Sequence, residues 1–598
     1  MKAKAPAKPT RRAAAAPAVA APPPPAFWRR PEVLYPAGLV MLGLAIYSRS
    51  LTGPFLFDDT DLIESSAIRA RNIFIILTGP RPLTNLSFGS NYRLTGFNPF
   101  AFHVVSLVLH LVNTLLLWGV VRRLCELPAV TTRLEPAGRR VLAWAVPLLF
   151  LVSPVQTESV AYISSRSELW KTGPYLAALL VFLSSWREAR PWLAALLVTF
   201  FYGCAVAGKE DGLTLPIAIA LLDYLLASQC DWRRMRRNWP VYALLVAVMV
   251  LGAWVKVRPL LNVPSAGFSL RDVTWHQYLF TQFRMYFLYL RLLLVPFGLN
   301  ADYDIALSRT LLEHGSWLAL AGLALLKGAA LWFHRRQPLA VFGLFFFLLA
   351  LAPTSSFYPL LDYAAERRLY LPAAGFFLAA VALLAARWGN RRDLAVALGL
   401  VAAVNAAGAY NRNGVWEDSL ALWQDTVEKS SQKWRVWNNL GREYSDRGRF
   451  EEATKAYERA AELIPRRRHE RLDVLSSLGS TYANRKMYPE AVKIYEEGLK
   501  IDPGHPRLLT NLAMTELRLS RPAGWQHFEQ AIHGDPLAWE PHFARGNFYY
   551  QMGRYDDAIK DYERVLQLLP SHPDAQYNLN AARGMKVRQE QQSPGRGR

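Results

Sequence analysis

Cysteine is nearly missing from this chain: Cys125, Cys204 and Cys230 are the only three in 598 residues. Their spacing matches no metal knuckle, which argues against a disulfide scaffold or a zinc module. Charge is also scarce, at 19% of residues against 52% hydrophobic, and acid is scarcer than base, 47 against 69. A net charge of +22 would by itself point to an acidic partner such as nucleic acid. Its distribution removes that reading. From Asn411 onward 29 basic residues face 26 acidic ones, so +19 of the excess lies in the apolar part of the chain. In such a context basic residues mark cytoplasmic loops between membrane spans, and nucleic acid is not expected as a partner.

Residues 1–31 are rich in Ala, Pro and base, with a run from Pro22 to Pro25, and read as a disordered cytoplasmic tail. Val33 to Tyr47 follows a long basic lead without a convincing cleavage site, so it reads as a first span rather than a signal peptide. Apolar stretches then recur near 101–121, 141–153, 169–185, 191–207, 212–227, 239–255, 314–333, 338–353, 370–386 and 394–409. A spanning helix needs about 20 apolar residues, and several of these are shorter. Basic loops at Arg122–Arg140, Arg187–Arg190, Arg233–Arg237, Arg335–Arg336 and Arg387–Arg392 alternate with the spans only if 275–297, which carries Arg284 and Arg291, does not cross. This predicts about eleven spans over 32–410, an interfacial element at 275–297, the N-terminus inside and everything after Tyr410 outside.

The C-terminal third has a readable period. Trp437, Leu440, Gly441, Tyr444, Ala453, Tyr457, Ala460 and Pro465 reproduce the tetratricopeptide signature. A second copy runs through Leu478, Gly479, Tyr482, Ala491, Tyr495 and Pro503, a degenerate third through Leu512, Ala513, Phe528, Ala531 and Pro536, and a fourth through Gly546, Tyr549, Ala558, Tyr562 and Pro570. About four repeats and a capping helix over 411–583 form an α-solenoid, with 584–598 as a basic tail. The fold class is therefore all-α, a polytopic helix bundle followed by repeats.

The first external loop opens on Phe57-Asp58-Asp59. Two adjacent carboxylates beyond a span suit a general base with an orienting or metal-holding neighbour. An isolated Asp pair is otherwise an ordinary turn or cap.

The order Phe57-Asp58-Asp59, Arg81-Pro82-Leu83-Thr84, Gly96-Phe97-Asn98-Pro99 with His103 and His110, Pro154 to Val160, Ser165 to Leu169, Lys209-Glu210-Asp211-Gly212 and Ala365 to Pro372 resembles the transmembrane and tetratricopeptide-repeat O-mannosyltransferases of the GT-C class. The likeness covers about residues 35 to 580. The family often has His where this chain has Ser153 and Gln156. The resemblance implies transfer of a sugar, typically mannose, from a polyprenyl-phosphate carrier to Ser or Thr hydroxyls of proteins on the non-cytoplasmic face. On that reading Asp58 or Asp59 is the base, and either would hold a divalent cation if one is used. The leaving phosphate needs cations. Arg166 and Arg367 are the preferred pair, with Lys209 and Arg368 beside them, and the alternative for the arginines is ion pairing with Glu168 and Glu366. Arg81, Glu158, Glu168, Glu210 and Glu366 are supporting residues. His103 and His110 read as packing rather than metal ligands, and Asn85-Leu86-Ser87 is a bare glycosylation sequon. The acceptor protein is expected on the repeats. Composition favours a bacterial inner membrane with the repeats in the periplasm, the alternative being an endoplasmic reticulum membrane with luminal repeats. Two other functions stay open: a non-enzymatic membrane scaffold, and transfer to a lipid or glycan.

Overall fold

The computed structural model describes residues 31–592 apart from 60–67, 69–75, 77–78, 186–190, 261–272 and 466–469. The tail before Pro31, Asp61 and the loop at 187–190 lie outside the described residues. Helices dominate and no strand occurs among the described residues.

In chain order the first part comprises α1 (Pro31–Tyr47), α2 (Pro82–Thr95), α3 (Pro99–Glu126), α4 (Pro136–Val152), α5 (Arg166–Ser185), α6 (Pro191–Gly208), α7 (Leu215–Leu222), α8 (Trp239–Leu260), α9 (Trp275–Leu294), α10 (Ser316–Phe333), α11 (Pro338–Leu351), α12 (Tyr370–Arg387) and α13 (Arg391–Val415). Local chemistry sets several starts. Asn98 accepts from the Phe100 amide at 3.1 Å ahead of Pro99, an N-cap followed by a proline that has no amide to orphan. Asn390 caps α13 in the same way.

Among the described residues, five helices are long and apolar enough to cross a membrane: Pro31–Thr52, Pro99–Glu126, Glu313–Phe333, Glu366–Arg387 and Arg391–Val415. Pro136–Val152 with Pro154–Ala161, bent by 50°, makes a sixth if taken together, and Trp192–Gly208 and Pro338–Leu351 are shorter apolar helices. These helices mark the chain as a membrane protein. Reaching about eleven spans requires the shorter and charge-bearing helices as well. α9 is not among the five. It is two-faced: Tyr278, Met285, Tyr289 and Leu292 are buried while Trp275, Phe287 and Leu294 are exposed. Arg284 is spent on the Ala306 carbonyl and Ser308, and Arg291 on the Phe297 carbonyl.

Small residues let the apolar helices touch. Gly343 of α11 and Gly375 of α12 face each other so closely that a Cβ on either would lie 2.6 Å from the other's carbonyl oxygen, the close backbone approach typical of membrane helix pairs.

The second part is a stack of helical hairpins: α14 (Ser419–Lys429), α15 (Trp434–Asp446), α16 (Phe450–Leu463), α17 (Glu470–Asn484), α18 (Tyr488–Leu499), α19 (Pro506–Arg518), α20 (Ala523–Gly534), α21 (Glu540–Gln551), α22 (Tyr555–Leu568) and α23 (Pro573–Gln592). The signature residues act as the period implies. A Cβ on Gly441 would meet the Tyr457 ring at 2.9 Å, and one on Gly546 the Tyr562 ring at 3.0 Å, so each glycine makes room for the aromatic of its partner helix. The degenerate third repeat still buries Leu512, Ala513, Phe528 and Ala531. α23 continues to Gln592, into the segment expected to be a tail. Lys586 reaches back there to Asp556 at 2.6 Å.

Only Trp416 to Asp418 separates α13 from α14. Trp416 is buried, Asn413 donates to the Ile46 carbonyl at 3.1 Å, and Arg49 pairs with Glu417 at 2.8 Å. The junction is thereby tied to the end of α1.

Candidate functional site

The adjacent aspartates part company. Phe57 adopts a left-handed backbone, φ 50°, which a β-carbon residue enters only when its surroundings impose it. Its ring lies 5.2 Å from that of Tyr162 and 4.7 Å from that of Trp423 on α14. The turn sends Asp58 to the surface and Asp59 inward. Asp59 accepts from the Leu56 amide at 3.0 Å, the Ser164 amide at 2.8 Å and the Ser164 hydroxyl at 2.6 Å. Burial outweighs these bonds and pushes its carboxyl up to about 7. No described side chain pairs with Asp58. Both Asp59 oxygens are engaged, and among the described residues no group of three or more His, Cys, Asp and Glu could hold a metal.

A second cluster joins the bundle to the repeats. Glu158 is buried and accepts from the Arg367 amide at 2.8 Å and its guanidinium at 2.5 Å. Arg367 also meets Asp362 at 3.1 Å, and the other oxygen of Asp362 takes Arg435 of α15 at 2.6 Å. Arg435 forks onto Asp302 at 2.8 and 2.7 Å, where Lys433 arrives at 2.5 Å. Burial would raise the Asp362 carboxyl, but Arg435 and Arg367 together hold it well below the usual carboxylate range. The expected alternative partner of Arg367, Glu366, points elsewhere: it is buried and accepts from the Asn300 amide and from the Tyr303 hydroxyl at 2.8 Å. Arg368 is 7% exposed and donates to the Asp362 carbonyl at 2.6 Å, so it shapes the loop rather than facing a ligand.

The third cluster gathers Arg81, Glu168, Lys209 and Glu210 with Lys171, not singled out from sequence, and Asp211, present in the motif but given no role there. Lys171 pairs with Glu168 at 2.5 Å and with Asp211 at 2.8 Å, Lys209 pairs with Glu168, and Arg81 pairs with Glu210 at 3.1 Å. Glu168 and Lys171 are almost fully buried, and Lys209 keeps 14% exposure.

Arg166 is a correction. It neither pairs with Glu168 nor reaches the surface. Its guanidinium is fully buried, donating to Asn91 at 2.8 Å, Ser87 at 3.1 Å, Ser106 at 3.3 Å and the Phe102 carbonyl at 2.7 Å, over the Phe88 ring at 4.5 Å. Neutral acceptors and an aromatic face satisfy the cation. The sequon is likewise closed, since Asn85 is buried and donates to the Pro80 carbonyl. His103 lies against the Gly53 carbonyl at 3.1 Å and His110 against the Tyr370 hydroxyl at 2.7 Å.

α9 supports the second cluster from beneath. The Tyr278 hydroxyl donates to the Thr354 carbonyl at 2.7 Å, Gln282 donates to the Tyr363 carbonyl at 3.0 Å, and the Ala365 amide donates to the Tyr289 hydroxyl at 3.2 Å. A cleft of about 700 Å³ lies between the two parts of the chain. Phe55, Pro99 and Phe100 form its bundle wall, and Asp418, Glu443 and Arg447 its repeat wall.

Residues 435–504 and 539–572 match tetratricopeptide repeat models, leaving the degenerate repeat between them. A protein O-mannosyl-transferase of Caenorhabditis elegans is 26% identical over 456 residues, covering 71% of this chain and 62% of that protein. A protein O-mannosyl-transferase of Mus musculus is 25% identical over 561 residues, covering 83% of this chain and 58% of that protein. The relatives are protein O-mannosyl-transferases. This chain spans about three fifths of the length of those two relatives. A thermophilic tetratricopeptide-repeat protein of Thermus thermophilus aligns with 31% of the chain and 95% of its own length, at 18% identity and a TM-score of 0.25.

Proposed function

We propose that the protein is a membrane glycosyltransferase that moves a hexose, mannose by the resemblance, from a polyprenyl-phosphate carrier to Ser or Thr hydroxyls of a protein held by the repeats. The observation that carries this reading is the divided aspartate pair. Asp58 is exposed three residues along the chain from Phe55, a wall residue of the cleft between bundle and repeats, and Asp59 is held inside by Ser164. Asp58 is the base: it takes the hydroxyl proton as the oxygen bonds to the anomeric carbon, and the carbon–oxygen bond to the carrier breaks with its electron pair leaving on phosphate. A positioned carboxylate suits the first event and a fixed cation the last.

Arg367 is the best placed of the four cationic candidates. Its side chain is 28% exposed and its orientation is fixed by Glu158 and Asp362. Tyr162 lies within electrostatic reach of Asp58, Asp59 and Arg367, which supports a base and a cation acting together. Lys209, partly exposed among acids, is a secondary contact. Glu158 positions Arg367, while Glu366 and Arg368 hold the surrounding loops and Arg166 ties α2 to α3. The exposed face of α9 is a suitable flank for a polyprenyl tail. The site faces the non-cytoplasmic side, the periplasm for a bacterial inner membrane.

The test uses membranes bearing Asp58→Asn and Asp59→Asn variants, supplied with a polyprenyl-phosphate hexose and assayed for hexose on envelope proteins. Asp58→Asn abolishes transfer with the protein level intact. Full transfer in Asp58→Asn removes the base assignment. An unchanged glycan profile in a strain lacking the protein, together with lost envelope complexes, favours the scaffold.

A further inference from the structure

At the end of the bundle away from the repeats, three loops that the charge pattern assigns to one side of the membrane close on a pocket of about 270 Å³. They are the turn between α3 and α4, the segment after α7 and the turn between α10 and α11. Arg133, Gln229 and Arg335 form its rim, and Ala129, Leu225 and Pro338 its apolar floor. No carboxylate is among its described lining residues. Arg133 bridges two of the loops through carbonyls, donating to Ala129 at 3.0 Å and to Arg335 at 3.0 Å. Carbonyl acceptors orient the guanidinium without neutralising it. Arg335 is exposed, and no described acid pairs with either arginine.

The wall between the arginines is rigid. After α7 the chain makes a wide turn over Asp223–Ala227, then passes through left-handed Gln229 and Cys230, φ 54° and 62°. Asp223 is buried and pins this turn by accepting from Ser228 at 2.7 Å, Asn238 at 2.7 Å and Tyr242 at 2.5 Å. Its charge is spent on neutral donors inside the fold. Two guanidinium charges with no described acid paired to them, over an apolar floor, fit a phosphate oxyanion. The volume falls below the roughly 300–1,000 Å³ of sites for whole small molecules, which suits a headgroup better than a cofactor. Just before the rim, α10 exposes Leu331 at 61% and Trp332 at 77%, an apolar flank along which acyl chains can lie.

We propose that this pocket binds a phosphate group, presented by an anionic phospholipid headgroup from the leaflet facing the basic loops. Basic pockets between membrane helices are built for that chemistry. A free phosphate ion shares it, and the test separates the two sources. The proposal does not rest on the transferase reading.

The full chain, delipidated in detergent, is examined by native mass spectrometry with phosphatidylglycerol, phosphatidylcholine or inorganic phosphate. Retention of phosphatidylglycerol over phosphatidylcholine is expected, falling about tenfold in Arg133→Gln/Arg335→Gln, the size of a lost charged hydrogen bond, and partly recovered in the double Lys variant. Phosphate adducts without a lipid preference would identify a soluble ion as the occupant and overturn the lipid assignment. Equal retention of both lipids and no phosphate adduct, or a double Gln variant indistinguishable from the parent, overturns the proposal. Cys230 also lines the pocket, and its maleimide labelling in nanodiscs gives a readout that needs no variant. Phosphatidylglycerol discs should slow it relative to phosphatidylcholine discs, and equal rates again overturn the proposal.

Discussion

Arg435, on a helix of the repeat domain, and Asp362, in the loop that leads to Arg367, meet at 2.6 Å. Because the other oxygen of Asp362 takes Arg367 at 3.1 Å, one carboxylate joins the repeats to the cation proposed for the leaving phosphate. Arg435→Gln should loosen this link by about 1.5–3 kcal/mol, the range for charged hydrogen bonds. Lower thermal stability, faster proteolysis near residue 430 and reduced transfer are expected together, with Arg435→Lys recovering part of each.

Asp59 should impose a pH dependence on stability. Its folded carboxyl titrates near 7, against an ordinary value of 3.8, so the folded state binds more protons between those values. Its contribution is therefore full below about pH 4, declines as pH rises to 7 and is flat above, with a slope of at most about 1.4 kcal/mol per unit. Asp59→Asn should flatten this window in thermal melts taken from pH 4.5 to 7. Asp362, held low by Arg435 and Arg367, acts in the opposite sense and only at more acid pH.

Glu158 and Arg367 should separate positioning from charge. Arg367→Gln is expected to lower turnover by roughly a hundredfold or more, as loss of a cation at a developing anion does. Glu158→Gln leaves the cation present but releases its guanidinium, so a smaller loss is expected, with a weaker apparent affinity for the carrier. Steady-state kinetics on a short-chain polyprenyl-phosphate sugar distinguishes the two patterns.

Packing between α11 and α12 should tolerate no side chain at Gly375. A Cβ there would meet the Gly343 carbonyl at 2.6 Å and the Phe347 amide at 2.8 Å, both backbone atoms that cannot swing away. Gly375→Leu should cost at least the roughly 1–3 kcal/mol typical of overpacking. It should appear as loss of the monodisperse peak in detergent chromatography. Gly389→Ala, which has open space around it, is the matched control.

The repeats are legible in the sequence because their residues meet neighbours along the chain: Gly441 needs Tyr457, and Gly479 needs Tyr495. The aspartate pair is legible as a motif but not as two different residues, since the division depends on the Phe57 backbone and on Ser164, more than a hundred positions away. Arg166 misleads for the same reason. Its nearby acid, Glu168, is a local feature, whereas Ser87, Asn91 and Ser106 come from α2 and α3. Asp302 and Arg435 give no signal at all, because each is an ordinary charged residue until the fold brings them together. Lys171 does leave a trace, as a lysine one turn beyond Glu168 at the mouth of an apolar helix, where an unpaired charge is costly.

The three residues between α13 and α14 leave the repeat stack almost no swing. With Trp416 buried and Arg49 holding Glu417, the solenoid stands on the last membrane helix as a bracket rather than hanging from it as a tether. A polypeptide seated on the repeats would therefore present its chain to Asp58 at a set offset. Modified hydroxyls should recur at a fixed spacing from the bound segment, making the stack a ruler as well as a handle.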